Sequence, residues 1–449
     1  MRLPSHVLGL GISSLAALLL LVAWRLDPAA SAAASAPGSQ GHRDTVLEDA
    51  LNRLREGRHT FRYDTFGDEE FWGDTLRLHE AIVGATLGGV GPGVSPVDAL
   101  AVGLKVDQEA LSPNLLNQIE HGHVDLNDPA VTVELLRRNA VVGVTGFFDD
   151  DDQLVSMGIQ CALCHSTVDD AFLPGIGKRL DGWANRDLNV GAIVNLSPDL
   201  SSMAGLLGVP EPAVREVLTS WGPGKFDAEL ILDGLASARL GGSSATLIPP
   251  AFGLAGVNLH TWTGWGSVTH WNAFVANLEM HGKGTFLDAR LDDAAQFPIA
   301  AANGFGHVRH SPDLITSKLG ALQLYQLALE APAPPAGSFD PVAAERGHVL
   351  FRSRAQCGNC HVEPIFTEPG WNLHRPEEIG IEPFQANRSP DRGYRTAPLK
   401  GLWSHARGGF YHDGRFATLE QVVDHYDGFF SLALSAQEKN DLVQYLLSL

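Results

Sequence analysis

This sequence is poor in cysteine, in methionine and in positive charge. Its 449 residues include four cysteines and four methionines, and 32 Lys and Arg stand against 52 Asp and Glu, for a net charge of −20. No basic block breaks this acidity, which argues against a nucleic-acid partner, because phosphate binding needs clustered Lys and Arg. An acidic solvated surface, or one that meets a basic redox partner, suits the charge. Beyond Ala23 no apolar run approaches the ~20 residues that span a bilayer. Apolar residues nevertheless make up 44% of the chain, so it is globular, with length for two or three domains.

What is present begins at the N-terminus. Arg2 precedes an apolar run, Val7–Ala23, and Ala/Ser-rich sequence continues to Ala36. A charged start, apolar centre and small-residue end describe a secretory signal. Residues 1–36 therefore read as a signal peptide cut near Ala32–Ala36, with an uncleaved anchor, and so a membrane attachment, as the second choice. Either way the chain is expected in the periplasm.

In an oxidising compartment paired cysteines normally become disulfides. Here all four fall in Cys161-Ala-Leu-Cys164-His165 and Cys357-Gly-Asn-Cys360-His361. This is the spacing of c-type haem attachment, in which two thiols bond the haem vinyls and the next His ligates the iron. Two disulfides would not explain a His after the second Cys both times. The expected cofactors are two covalently bound haem c groups, with His165 and His361 on their irons.

The fold class expected is mainly α: two cytochrome c-like haem domains plus an N-terminal extension, behind the signal segment. Residues 42–150 are the extension, cysteine-free and partly helical. Residues 151–330 carry the first haem site and residues 338–449 the second, with the Pro-rich linker Ala331–Gly337 between them. Pro341 opens a helix leading to Cys357, and Ser435 with Glu438 makes a capping box for a last helix. A faint internal repeat sets Ile248–Leu278 against Thr396–Tyr426, a constant offset of 396 − 248 = 148.

What fills the second axial position of each iron largely decides function. The last methionine is Met280, so the final segment has no Met ligand of its own. Its candidates are His374, His405, His412, His425 and Tyr426. Leu419, Val422, Val423 and Tyr426 share one helical face, with His425 about 100° away. Through the repeat Trp271, Phe274, Val275 and Leu278 take the matching face at the first haem, where Leu278 cannot ligate iron. The first haem is thus expected to have an open, largely apolar pocket, with Glu279, Met280 and His281 just beyond it, and His260 and His270 as further histidine candidates. Trp262, Trp265 and Trp271 form an indole-rich stretch from which an electron relay could be drawn.

These residues resemble the bacterial di-haem cytochrome c peroxidase and MauG superfamily over about residues 155–449. The similarity lies in the second haem site with Pro364, Phe366 and Thr367, in Tyr394–Leu399, in Phe410-Tyr411-His412-Asp413-Gly414, and in Thr418-Leu419-Glu420. It implies that the first haem is catalytic and the second relays electrons from a small periplasmic donor of cytochrome c or cupredoxin type. It implies Tyr426 as an axial ligand, as MauG has tyrosine there. It implies calcium between the domains, held by Thr396, Pro398 and either Asn185 or Asn189. The family's distal Gln position falls on Phe274, and its Glu is matched only by the nearby Glu279. An apolar pocket with Phe is nearer to the di-haem rubber oxygenases. Peroxidase with H₂O₂, O₂-using oxygenase or oxidase on an organic substrate, and plain electron carrier are the three functions in competition.

Overall fold

The computed structural model describes residues 40–237, 242–405 and 407–449; the signal segment lies outside the described residues. Arg53–Leu449 form one compact unit. No helix among the described residues is long and apolar enough to cross a membrane.

The secondary structure is mixed rather than mainly α, with 44% helix and 10% strand. Five two-stranded sheets account for the strand. The principal hairpin pairs Val144–Phe148 with Leu154–Ile159 antiparallel. Both strands carry the β-branched and aromatic residues that favour a pleated surface. Asp149 turns the hairpin, its carboxylate accepting the backbone N–H groups of Asp151 and Gln153. The second strand runs directly into the first haem motif.

The chain end behaves as its residues predict. Asp340 caps Pro341–Arg352, and Ser435 with Glu438 makes the capping box of Ala436–Leu447. These two helices cross closely, because a Cβ on Gly347 would stand 2.0 Å from the Asp441 carbonyl oxygen. Arg346 pairs with the buried Asp441 carboxylate at 2.6 Å beside the crossing.

The same crossing recurs in the first half. A Cβ on Gly57, in the helix Gln40–Tyr63, would stand 2.0 Å from the Ala321 carbonyl oxygen, in the helix Leu319–Ala328. Four residues on from each glycine is a buried phenylalanine against a tyrosine: Phe61 on Tyr325 at 5.6 Å, and Phe351 on Tyr445 at 5.2 Å between ring centroids. The duplication therefore includes the enclosing helix pair. Between helix and haem motif lie only residues 353–356 in the second copy, but residues 64–160 in the first. That inserted stretch does not stand apart. Its Trp72, Leu76, Leu135 and Leu136 share one core with Leu163, Leu188 and Leu218.

Candidate functional site: two cavities with a common wall

Each haem motif opens on its own cavity. The first, about 270 Å³, is lined by Cys161, Cys164 and His165. The second, about 460 Å³, is lined by Cys357, Cys360 and His361. All four thiols are free. Burial pushes Cys161 and Cys164 up to about 12, and Cys357 up to about 11. Burial pulls His165 down to about 4 and also lowers His361, so both imidazoles are neutral. His165 Nδ1–H donates to the Pro249 carbonyl at 3.1 Å, and His361 Nδ1–H to the Phe366 carbonyl at 3.0 Å. A carbonyl on Nδ1 fixes the tautomer and leaves Nε2 as the donor, which is how metal-binding histidines are held. The residues of both cavities fit a c-type haem.

The helix Val268–Phe274 brings Val268, Trp271 and Asn272 to the first cavity. Phe274 does not line it. Phe274 is fully buried in a core with Trp265, Leu278, Phe286 and Phe297, stacked on Trp271 at 4.6 Å. The expected distal face of Phe274 and Leu278 is therefore corrected. The cause is local: Val275–Glu279 is wound as a π-helix, closed by Met280 N–H on the Val275 carbonyl at 2.8 Å. A π turn uses one residue more than an α turn. Before it the two copies match at 419 − 271 = 148; after it they match at 426 − 279 = 147. Glu279, not Leu278, is the counterpart of Tyr426.

Glu279 lines the first cavity, half-buried, with Oε1 enclosed and lacking any hydrogen-bond partner. Burial, reinforced by the charge of Glu229, holds its carboxyl well above the usual range. Met280 lines the cavity too, and its carbonyl accepts the Trp72 indole N–H at 2.9 Å. His281 turns away and stacks on Phe71 at 3.5 Å. His260 reaches the cavity wall, but its Nε2 is bonded to the Val257 carbonyl at 3.1 Å. His270 bonds Asp288 at 3.1 Å.

In the second cavity Tyr426 is on the wall, carried by the helix Leu419–Phe429. Burial raises its phenol. His425 points elsewhere, bonded to the Ile379 carbonyl at 3.0 Å. His405, His374 and His412 also line this cavity. His374 is bonded to Glu368 at 2.7 Å and His412 to Glu382 at 2.6 Å, whereas His405 Nε2 has no partner.

Of the three tryptophans singled out, Trp271 lines only the first cavity, while Trp262 lines both. Trp265 is core, donating to Asp288 at 3.2 Å. The shared indole is Trp262, not Trp271. Arg395 also lines both cavities, half-buried, with Nη1 enclosed and unpartnered. Its place in the Tyr394–Leu399 motif was the signal for it. Glu229 and Gln385 on the first cavity carried no such signal.

The expected calcium donors Asn185, Asn189 and Thr396 each carry hydrogen bonds within the protein. Thr396 and Pro398 line the second cavity and Asn189 does not. Asn189 Oδ1 caps Val190–Val194, and the Thr396 carbonyl already accepts the Thr367 hydroxyl. Asn185 spends its amide on the Gly103 carbonyl at 2.9 Å and its Oδ1 on Asp187 N–H.

Two cavities, each with a neutral imidazole beside a pair of thiols not joined in a disulfide, carry the residues that would hold a haem. No family model matches the chain. It is similar to the methylamine utilization protein MauG of Methylorubrum extorquens, 27% identical over 238 residues, which is 45% of this chain and 63% of MauG. The resemblance to the MauG and di-haem peroxidase superfamily is supported by this similarity. It spans less than two thirds of the length of that relative. Among solved structures it is similar to a MauG-like protein associated with microbial copper homeostasis (18% identity, 48% of this chain, 76% of that one, TM-score 0.31). It is similar also to the diheme peroxidase BthA from Burkholderia thailandensis (15%, 51%, 78%, 0.31). A third is the hydrazine synthase of Kuenenia stuttgartiensis (20%, 48%, 76%, 0.27).

Proposed function

We propose that this chain is an exported, periplasmic di-haem oxidoreductase with two covalently bound haem c groups, which reduces H₂O₂ at the first cavity with electrons received at the second. The observation that carries this reading is Glu279: a carboxyl with an enclosed and free oxygen on the wall that also holds His165. When bound, the haem supplies the iron that takes the peroxide and the electrons that reduce it. The chain supplies the rest. His165 Nε2 is held ready to ligate by the bond from Nδ1 to Pro249. Peroxide must lose a proton from one oxygen and gain one on the other before the O–O bond breaks. Glu279, whose affinity for a proton is raised by burial, is suited to move that proton. An acid–base group so placed contributes roughly 10²–10⁴-fold. Tyr426 and His405 are the residues suited to close the second iron, leaving that site to electron transfer, with a small cytochrome c or cupredoxin as donor. Trp262, on the wall of both cavities, is suited to connect them.

A second reading, an O₂-using oxygenase or oxidase acting on an organic substrate, is favoured by the wall that the inserted stretch adds. Leu78, Ile82, Val94, Leu136 and Val141 make that side of the first cavity apolar. A plain electron carrier requires a protein ligand on the first iron as well, and Met280 is the residue positioned for it. Stopped-flow mixing with H₂O₂, and with O₂ after reduction, separates the three. Fast reaction with peroxide that slows in Glu279→Gln supports the peroxidase. Slow reaction with peroxide and durable O₂ uptake supports the oxygenase. Failure to react with either, or to bind CO when reduced, leaves the electron carrier.

A further inference from the structure

The two cavities differ in the charges on their walls. The first has two acids, Glu229 and Glu279, and one cation, Arg395. The second has three cations, Arg186, Arg395 and Lys400, and one acid, Glu378. That acid is already engaged. Its carboxylate accepts the Arg375 backbone N–H at 3.2 Å and lies 3.4 Å from His374 Nδ1. A chain of net charge −20 thus gathers its scarce cations on one interior wall.

Arg186 stands out among them. It is 7% exposed, and its Nε and Nη1 are enclosed without a hydrogen-bond partner. Among the described residues no carboxylate pairs with it. Asp187, next in sequence, is taken by Lys105 at 2.6 Å and Arg407 at 2.5 Å. The backbone around Arg186 belongs to the first haem segment and is pinned there. Asn185 N–H donates to the Cys164 carbonyl at 2.9 Å, and the Asn185 amide to the Gly103 carbonyl at 2.9 Å. A Cβ on Gly224 would stand 2.7 Å from the Arg186 carbonyl oxygen. The side chain, in contrast, reaches the second segment, where a Cβ on Gly408 would lie 3.5 Å from Nη1. A guanidinium does not shed its proton, and three idle N–H bonds on a buried cation are costly unless an anion meets them. Buried polar atoms without partners are rare and mark places where a ligand belongs. The wall that carries Arg186 also carries Cys357, Cys360 and His361, so the missing acceptor belongs to what those residues hold. A haem attached through its vinyls keeps two propionate carboxylates free.

We propose that Arg186, from the first haem segment, forms an ion pair with a propionate of the haem bound at Cys357 and Cys360. The proposal rests on the haem reading above and not on the choice of oxidant. A charge-assisted bond to a carboxylate satisfies the idle donors and neutralises both buried charges. A fixed cation beside a haem favours the ferrous state, which carries one positive charge less, so Arg186 raises the potential of the second haem.

The test uses the full holoprotein as wild type, Arg186→Gln and Arg186→Lys. Each is followed by spectroscopic redox titration and by the propionate bending band in resonance Raman. In Arg186→Gln the ferric/ferrous equilibrium of the second haem should shift about tenfold toward ferric, about 59 mV for one electron. The propionate band should move, and the first haem should keep its potential. Arg186→Lys should retain most of the potential, because the charge remains, and still move the band, because a point charge replaces a planar fork. A free anion could fill the same site, and added phosphate at constant ionic strength separates the two. A propionate partner leaves the wild-type potential independent of phosphate. A potential that follows phosphate in wild type but not in Arg186→Gln would assign the site to a free anion and overturn the proposal. So would a band and potential unmoved in Arg186→Gln, or a shift confined to the first haem. Should Arg186→Gln fail to fold, an unmoved band in Arg186→Lys is the overturning result. A wild type whose mass shows no haem on Cys357 and Cys360 would defeat the haem reading itself; with that haem present, the outcomes bear on Arg186 alone.

Discussion

The two cavities are copies that have taken different ends. Each lies beside a Cys-x-x-Cys-His motif, and each has a histidine whose Nδ1 is tied to a backbone carbonyl. The first presents an acid from a π-helix, and the second a phenol from an α-helix. The change between them is one residue of winding. An α continuation of the first helix would put Leu278 where Tyr426 stands and leave that position without a titratable group. The π turn substitutes Glu279. A carboxyl on one wall and a phenol on the other are thus presented by matching helices that differ by one residue of winding.

The largest expected effect on this contrast is loss of one haem. Changing Cys161 and Cys164 together to Ala should leave a single c-type haem by mass and by pyridine haemochrome assay, and the Cys357/Cys360 pair should do the same from the other side. Retention of both haems in either variant would end the assignment. Next in size is Glu279→Gln, which should slow the peroxide reaction by about 10² or more, measured by stopped flow, while the second haem's spectrum is unchanged. Tyr426→Phe should do the reverse. It alters the low-spin signal and raises the potential of the second haem, because a hard anionic oxygen favours ferric iron, and leaves peroxide binding in place. If His405→Ala has that effect and Tyr426→Phe does not, the axial role belongs to His405.

Two smaller effects test the frame itself. Gly57→Ala and Gly347→Ala each drive a methyl into a facing helix carbonyl and should each cost about 1–3 kcal/mol of stability, read by denaturant titration. A large difference between them would mean that the two crossings are not equivalent. The smallest effect is linkage. Glu229 is raised in the folded chain from an ordinary 4.5 to about 7. The folded state therefore binds the proton more tightly, and this group's contribution is fully present below pH 4.5 and lost as pH rises through 7. The stability of wild type relative to Glu229→Gln should fall across that window.

The sequence was legible where structure is local. The haem motifs, the Ser435–Glu438 box and the turning of Tyr426 toward its cavity and His425 away from it follow from spacings of a few residues. The Gly57 crossing was equally local in its residues, Gly-x-x-x-Phe in both copies, but the insertion of residues 64–160 separated it from its motif. The strands flanking Asp149 were hidden at the boundary between the partly helical extension and the first haem segment. The π turn could not be read, because the same apolar residues satisfy a 3.6 period and a slightly longer one, and only the backbone hydrogen bond at Val275 distinguishes them. Glu229 and Gln385 stand far apart in the chain, and only packing brings them to one wall.

That packing changes what kind of object the duplicated chain is. Arg388 and Gln385 come from the last segment, yet Gln385 lines the first cavity and Arg388 neutralises Asp227 and Asp233. The Pro-rich stretch at Ala331–Gly337 looks like a seam along which two modules might be exchanged between proteins. It is not one. A first half severed there would keep two buried carboxylates with no cation, a fault that costs about 3–5 kcal/mol when one partner of a buried pair is removed. Once Arg388 had been recruited across the seam, the copies ceased to be interchangeable parts, and further divergence of either was constrained by the other.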